Sequence, residues 1–432
     1  MRETLLHVPH EGWFGLQLFG VGWLLIIWLL VSATWLAYLI RIQGWNNDTI
    51  SYIPVILVVA GVVFFVLPML EKRDPITEVI LGIPIRGYGT FVAMGCVLGV
   101  GMVTYRASKL GIDPDMIYTL AFVMFVGAIL GARAFFVLQY WHEFQGDTTA
   151  QTIWQVISFT EGGLVVYGAL LGGVPAGIWY LRKEKQHLLA IGDLVAPSLL
   201  AGLAIGRIGC LMNGCCYGGI VVGDDWGLRF PPGSPPYMRQ IESGELLGMK
   251  LERRRDEDGR RTVITVAKES LAAAEDVKKG DRIVLQSESA SVIKATRHRP
   301  DDATPLVTMK LPNGNVVGWR ISQLPASSLP VQPTQLFSSI NAALLSAVLW
   351  FAFPFRNRNG QIFALLLILY PITRFLLEII RTDETGALGT SLTISQLVSL
   401  VLITAAIGLW VLVQRSPRLG NGGDSSPAVE KS

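Results

Sequence analysis

Apolar residues run in long unbroken stretches, without the strict alternation of half-buried strands or the one-sided stripe of surface helices. Nine such runs stand out: 17–40, 51–70, 87–106, 117–140, 160–181, 193–213, 333–353, 361–381 and 391–414. Each approaches the ~20 residues an α-helix needs to cross the hydrocarbon of a bilayer. Backbone groups in lipid have no water to bond, so a spanning segment is a helix or part of a closed barrel. Runs of this length predict helices. The second run carries Pro54 and Pro68 near its ends and reads either as a span or as a re-entrant piece.

One long polar stretch, 219–332, interrupts the pattern. Its first part, 220–237, is rich in Gly and Pro and carries Trp226, Phe230 and Tyr237. The segment ERRRDEDGRR (252–261) mixes both signs of charge and reads as a solvated hairpin or linker. The phrases RTVITVAK (261–268) and DRIVLQSES (281–289) alternate, which predicts strands, with a short helix and a turn at Lys279–Gly280 between them. The tail 417–432, polar with Gly, Ser and Pro, is expected to be disordered. The expected organisation is a two-span extension over 1–80, four spans of a membrane core over 81–237 and a small β-rich or α/β insert over 238–330. The last three core spans follow over 331–416, before the tail.

Composition narrows the class. With 51% hydrophobic and 16% charged residues, the chain is too apolar for a soluble domain. The net charge of +3 is no nucleic-acid signature; the basic residues concentrate in short loops. Arg106/Lys109, Arg182/Lys183/Lys185, Arg356/Arg358 and Arg415/Arg418 all fall on one side of a nine-span bundle. That side is cytoplasmic by the positive-inside rule. The other side then holds Glu143/Asp147, the segment 214–332 and Asp383/Glu384, with the N-terminus outside and the C-terminus inside. No cleavable signal peptide is expected, because the first run is long enough to span and no small-x-small site follows it. The four cysteines, Cys96, Cys210, Cys215 and Cys216, are too few and too clustered for a disulfide framework.

The candidate chemistry lies in charges that a membrane segment does not tolerate cheaply. Arg133, Arg207, Arg374 and Arg381 sit in or beside the apolar runs. Such ions line a cavity, pair with a counter-ion or serve function. Glu378 stands between Arg374 and Arg381 at helical spacing in RFLLEIIR, which reads as a salt-bridge ladder or as a net-positive site for a phosphate. Arg207 lies in GRIGCLMNGCCYG (206–218), whose glycines expose amides that can cradle an anion and whose Asn213–Gly214 can break the helix. Cys215 and Cys216 there read as buried thiols, as a local disulfide, or with Cys210 as a metal site, though no histidine lies near to complete a zinc shell. RGYG (86–89) sets Tyr88 at headgroup depth, either as an aromatic-belt residue or as a ligand. EGGLVVYGALLGG (161–173) reads as a tight helix-packing seam or as room for a lipid chain, with Tyr167 about a turn inside. In PTQL (333–336), Thr334 and Gln335 either cap the seventh span or hold a glycerol hydroxyl. Together, guanidiniums in a membrane protein suggest a phosphate-bearing lipid.

These segments, in this order over most of 81–414, resemble the bacterial prolipoprotein diacylglyceryl transferases. Tyr88 in RGYG matches a family tyrosine, and Arg133 in GARAFF a family arginine. GRIGCLMNGCCYG is similar to the signature GRxxNFxNxExxG, with Arg207, Asn213 and Gly218 kept. PTQL, RFLLEIIR and Ser395–Gln396 match elements of the last three core helices. Three positions depart from the family: Tyr167 stands where it has a histidine, Cys210 replaces its first signature asparagine, and Cys215 replaces its glutamate.

The resemblance implies an all-α polytopic membrane protein: a seven-helix transferase core, with two added N-terminal helices and a small extracytoplasmic insert. It implies a multi-pass protein of the bacterial cytoplasmic membrane. The implied activity moves the diacylglyceryl group of phosphatidylglycerol to the lipobox cysteine of a prolipoprotein, the first step of lipoprotein maturation. Arg207, Arg374, Tyr167 and Glu378 are the expected catalytic residues. Tyr88, Arg133, Asn213, Gly218, Thr334, Gln335 and Arg381 are the expected substrate contacts. Expected partners are phosphatidylglycerol, lipobox peptides and membrane lipids, with no metal, no organic cofactor and no nucleic acid. A phenol near pKa 10 is a poor base at neutral pH, so Tyr167 is expected to position groups or relay a proton. Two alternatives stay open: a paralogue acting on another lipid or thiol substrate, and a non-enzymatic lipid-binding or transport protein.

Overall fold

Among the described residues each apolar run yields a helix, in chain order as expected. The structure, a computed structural model, describes residues 4–12, 15–74, 76–144, 148–157, 163, 165–221, 223, 226–252, 254–297, 304–381 and 389–419. The expected disorder of 417–432 falls largely outside these residues, as do Glu161, Asp147, Asp383 and Glu384. The chain divides into two compact units. One holds Met1–Gly87, Met212–Cys215 and Ile220–Gln332; the other holds Tyr88–Leu211, Cys216–Gly219 and Pro333–Ser432.

The first unit begins with strand β1 (Thr4–Val8) and helices α1 (Trp23–Gln43) and α2 (Asn47–Gly61). Of the first apolar run, Gln17 bridges to Glu11 and residues 18–22 form bends ahead of α1. Pro54 lies inside α2, which continues through a π-helical turn, Val62–Val66, to Met69. The second run is therefore a full-length apolar helix, Thr49–Met69. Strands β2 (Lys72–Arg73) and β3 (Ile80–Arg86) follow. β3 pairs antiparallel with both β1 and β2. The chain therefore leaves this small sheet through α1 and returns to it from α2.

The second unit carries the rest of the bundle: α3 (Gly87–Lys109, its first residue counted with the first unit), α4 (Pro114–Gln139), the short α5 (Thr149–Ile157), α6 (Val166–Lys183) and α7 (Leu188–Asn213). Among the described residues, eight helices are long and apolar enough to cross a membrane, not nine. The expected span over 160–181 is realised as α6, only 18 residues long. Gly168, Gly172, Gly173 and Gly177 dilute its hydropathy, and Arg182 and Lys183 end it. α7 is the central helix: 44% of its apolar window is buried, against 6% for α1 and α2.

Glycine sets the helix spacing. A Cβ on Gly172 would lie 2.1 Å from the Gly127 carbonyl oxygen, and one on Gly131 would lie 2.4 Å from that of Gly168. The backbones of α4 and α6 therefore meet without side chains between them, as small-residue seams allow. The glycine-rich segment around Tyr167 is, in this respect, a packing seam. Gly95 on α3 and Gly202 on α7 make a second close approach.

The polar insert in the first unit has its own core. It comprises α8 (Pro235–Glu242), β4 (Met249–Leu251), β5 (Arg261–Val266), α9 (Leu271–Ala274), β6 (Arg282–Ser287), α10 (Ala290–Thr296), β7 (Val307–Lys310) and β8 (Val316–Trp319). The strands form one antiparallel sheet in sequence order. Tyr237, Ile241, Val263, Ile283, Ile293, Met309 and Trp319 fill the core. Gly280 turns the chain into β6 with φ +94°. The side chain of Gln240 closes the base of the insert: Oε1 accepts from Leu329 N at 2.7 Å and Nε2 donates to Leu329 O at 3.3 Å. Helices α11 (Thr334–Ala352), α12 (Gln361–Ile379) and α13 (Ile394–Arg415) complete the second unit.

The glycine seam yields a contrast. Gly172→Ala is expected to lower thermal stability in detergent by about 1–3 kcal/mol, because the methyl overpacks a backbone contact. Gly101→Ala meets nothing within 4 Å and is expected to hold or raise it. Equal melting temperatures for the two variants would show that the α4–α6 seam does not set the helix spacing.

Candidate functional site

The site grows from α12. Tyr370, Arg374 and Glu378 recur at four-residue intervals, one above another on a helix face, and Arg381 follows just past the helix end. Glu378 is 2% exposed. Its Oε2 accepts from Arg374 Nη1 and, at 3.2 Å, from Arg381 Nη1. Its Oε1 accepts from Thr393 Oγ1 at 3.3 Å. Arg374 also donates through Nη2 to Ser395 Oγ at 3.1 Å. Thr393 is the N-cap of α13 and shares a capping box with Gln396, so the start of α13 is fixed where it meets the arginine pair. Two guanidiniums share one carboxylate.

Arg207 brings a third guanidinium, from the last two turns of α7. Its Nη1 faces Cys216 Sγ at 3.6 Å, and the Tyr370 phenol lies within its hydrogen-bonding reach. Cys216 has φ +59°, a left-handed conformation that costs a non-glycine residue roughly 1–2 kcal/mol. Such strain persists where the surroundings hold it. Here Thr334 Oγ1 donates to the Cys216 carbonyl at 2.5 Å, Gly218 bridges to Arg381, and Gly219 N donates to Ile380 O at 3.3 Å. The segment after α7 is thus stitched to the start of α11 and the end of α12. That stitching brings Arg207, Arg374, Glu378, Arg381, Gly218 and Thr334 into one network.

Gln335 is buried beside Thr334. Asn213 is the last residue of α7, where Gly214, at φ +74°, ends the helix. Tyr88 is 45% exposed near the start of α3, and Gly209 of α7 packs on its backbone. Tyr167, second residue of α6, is 38% exposed. Arg133 is engaged by backbone. Nε and Nη2 donate to Val156 O at 2.8 Å and Gln155 O at 2.6 Å, and Nη1 donates to Gly163 O at 3.3 Å. It therefore ties the end of α5 to α4.

Several participants escape a reading of the sequence. Tyr370 carries a usable signal, four residues before Arg374 in YPITR. The thiol of Cys216 carries none, since only the left-handed turn aims it at Arg207. At the far end of α12, the fully buried Asp193 accepts from Gly360 N at 2.7 Å and Phe363 N at 2.8 Å, with Arg356 Nε at 3.8 Å. This carboxylate caps the positive end of α12 and fixes the helix that carries the site. Burial holds the Arg356 guanidinium below its usual range, and Asp193 opposes that shift.

An apolar cleft of about 360 Å³ lies one to two turns along α7 from Arg207. Ala201, Ala204 and Ile205 of α7 line it, with Leu98 and Met102 of α3 and Trp350 of α11. The second unit thus holds a cationic, hydrogen-bonding network and, further along α7, an apolar cleft.

Comparison with known proteins identifies the class. The family model for prolipoprotein diacylglyceryl transferase matches residues 75–412. A phosphatidylglycerol–prolipoprotein diacylglyceryl transferase of Rhodopirellula baltica is 34% identical over 437 residues, covering 94% of this chain and 88% of that protein. Proteins of the same name from Gloeobacter violaceus and Clostridium tetani are 27% and 25% identical. They cover 80% and 78% of this chain, and 94% and 96% of their own lengths. The chain belongs to the prolipoprotein diacylglyceryl transferase family.

The buried carboxylate yields the next test. Glu378→Gln leaves two guanidiniums without their counter-ion, and breaking a buried pair in this way costs about 3–5 kcal/mol. The variant is expected to melt well below the parent in detergent. An unchanged melting curve would show that Glu378 does not hold the arginines.

Proposed function

We propose that this protein moves a diacylglyceryl group from phosphatidylglycerol to the thiol of a lipobox cysteine. The carrying observation is the gathering of Arg207, Arg374 and Arg381 around the buried Glu378, with an apolar cleft further along the helix that carries Arg207. In this reading the lipid phosphate sits against the three guanidiniums, whose planar forks suit its oxygens. Acyl chain lies along the cleft of Ala201, Ile205 and Trp350. Tyr88, Arg133, Asn213, Gly218, Thr334 and Gln335 contribute to binding around that centre. The same reading sets the protein in a bacterial cytoplasmic membrane, with the insert on the outer side.

The reaction then needs little beyond position and charge. The acceptor thiol gives up its proton, and sulfur attacks the glyceryl carbon that bears the phosphate. The carbon–oxygen bond breaks, its electron pair leaves on the phosphate oxygen, and the thiol proton ends on the departing glycerol phosphate. A thioether remains. Preorganised donors are worth most where charge develops, and Arg207 and Arg374 take that role here. Tyr167, in the family's histidine position, acts by orienting a group or relaying the proton.

Radiolabelled phosphatidylglycerol incubated with a lipobox peptide tests the reading. Label on the peptide cysteine is the expected result. Label that is bound or moved across a vesicle but never transferred would make the protein a lipid binder or transporter instead. Arg207→Lys and Arg374→Lys keep the charge but lose the fork, and each is expected to lower transfer well over tenfold, at about 1.4 kcal/mol per factor of ten. Tyr167→Phe is expected to lower activity with the amount of folded membrane protein unchanged. Parental turnover in both lysine variants would remove these arginines from the chemistry.

A further inference from the structure

The sheet of the insert is open along one internal edge. β5 and β6 pair only at Arg261–Ile283 and Thr262–Arg282. β6 continues to Ser287, and on its other side it stays paired with β7 through Val284–Lys310, Leu285–Met309, Gln286–Thr308 and Ser287–Val307. The chain ahead of β5 does not follow. It turns back at Asp256–Gly259, where Asp256 N donates to Arg260 O at 2.8 Å. Asp256 is held there by Arg282.

The alternation of an antiparallel ladder says which groups are left over. Glu288 N donates to Leu306 O on the β7 side, so Gln286 and Val284, two and four residues back, also face β7. Val263 N donates to Asp281 O on the β5 side, so Ile283, Leu285 and Ser287 face that way. Ile283 has its partner in Arg261. Among the described residues no strand pairs with Leu285 or Ser287 on that side. Beside them lies a cleft of about 420 Å³, rimmed by Glu242, Arg255, Glu288 and Thr308.

We propose that this edge of β6 takes an extended polypeptide segment, which continues the line of β5 and bonds to the backbone of Leu285 and Ser287. The occupant follows from the chemistry of the edge. Its recognition groups are backbone amides and carbonyls at strand spacing, which an extended peptide alone matches in register. The rim mixes one arginine with two carboxylates, so it selects for no strong charge of either sign. Recognition through backbone tolerates varied side chains. This inference rests on the proposed transfer activity for the identity of the peptide: a stretch of prolipoprotein beyond the lipobox, where only an unfolded backbone is shared among substrates.

The test uses the full chain in detergent or nanodiscs and a peptide of about eight residues, strand length with flanks, from the mature part of a prolipoprotein. Amide hydrogen exchange is read residue by residue. Leu285 and Ser287 are expected to exchange fast in the free protein and slowly with peptide, while Gln286, already bonded to β7, is slow in both. N-methylation of alternate peptide amides tests the same ladder without altering the protein. One phase of methylation is expected to weaken binding about tenfold or more, and the other to leave it unchanged.

Ser287→Pro removes one edge donor without a β7 bond. It is expected to raise KM for a full-length prolipoprotein while leaving turnover of a minimal lipobox peptide at the parental level. Protection that bypasses Leu285 and Ser287, or equal loss from both methylation phases, would overturn the proposal. Slowed edge amides without any transfer to cysteine would keep the edge and sink the transfer reading.

Discussion

Everything in the second unit turns on one buried carboxylate. Glu378 has no exposure to speak of, and it would be prohibitive to hold as a lone charge. Arg374, Arg381 and Thr393 remove that cost, and each comes with a piece of fold attached. Arg374 is one turn back on the same helix, Arg381 lies past its end, and Thr393 starts the next. The carboxylate thus decides where α12 stops and where α13 begins. It also keeps the two arginines folded inward, where apolar surroundings amplify whatever they touch.

The route to α7 is indirect. Among the described residues no carboxylate links Arg207 to this group; the connection passes through the Tyr370 phenol and the strained turn at Cys216. Asp193 performs the matching task at the other end of α12, holding its first amides. α12 is therefore clamped at both ends by buried acids, one satisfying backbone and one satisfying guanidiniums. Between the clamps its position is fixed to within a hydrogen bond, as a site built from charges requires.

Much of this was legible in the chain and some was not, for physical reasons. Span positions were clear because crossing a bilayer imposes a length. The segment 160–181 folds as a helix from Val166, but the glycines that serve its packing against α4 lower its hydropathy below that of the other spans. RFLLEIIR announced its ion pairs because i,i+4 spacing is local. Arg133 did not announce its partners, since these are main-chain carbonyls 22–30 residues away. In the insert, the two long alternating runs showed themselves as strands, whereas β4, β7 and β8, three or four residues each, are too short to carry a period. The aim of the Cys216 thiol follows from a single left-handed φ that side-chain identity does not predict.

The small sheet of β1, β2 and β3 bears on how such a protein grows. It closes the first two helices into a there-and-back pair, and the family match begins at residue 75, only after both. Two crossings have even parity. A hairpin of this kind can be joined to the front of a membrane protein, or lost from it, without turning over a single helix downstream. One added helix would reverse every loop and set each cationic turn against the charge bias that orients it. The strand pairing at the root of the hairpin is what keeps the addition even.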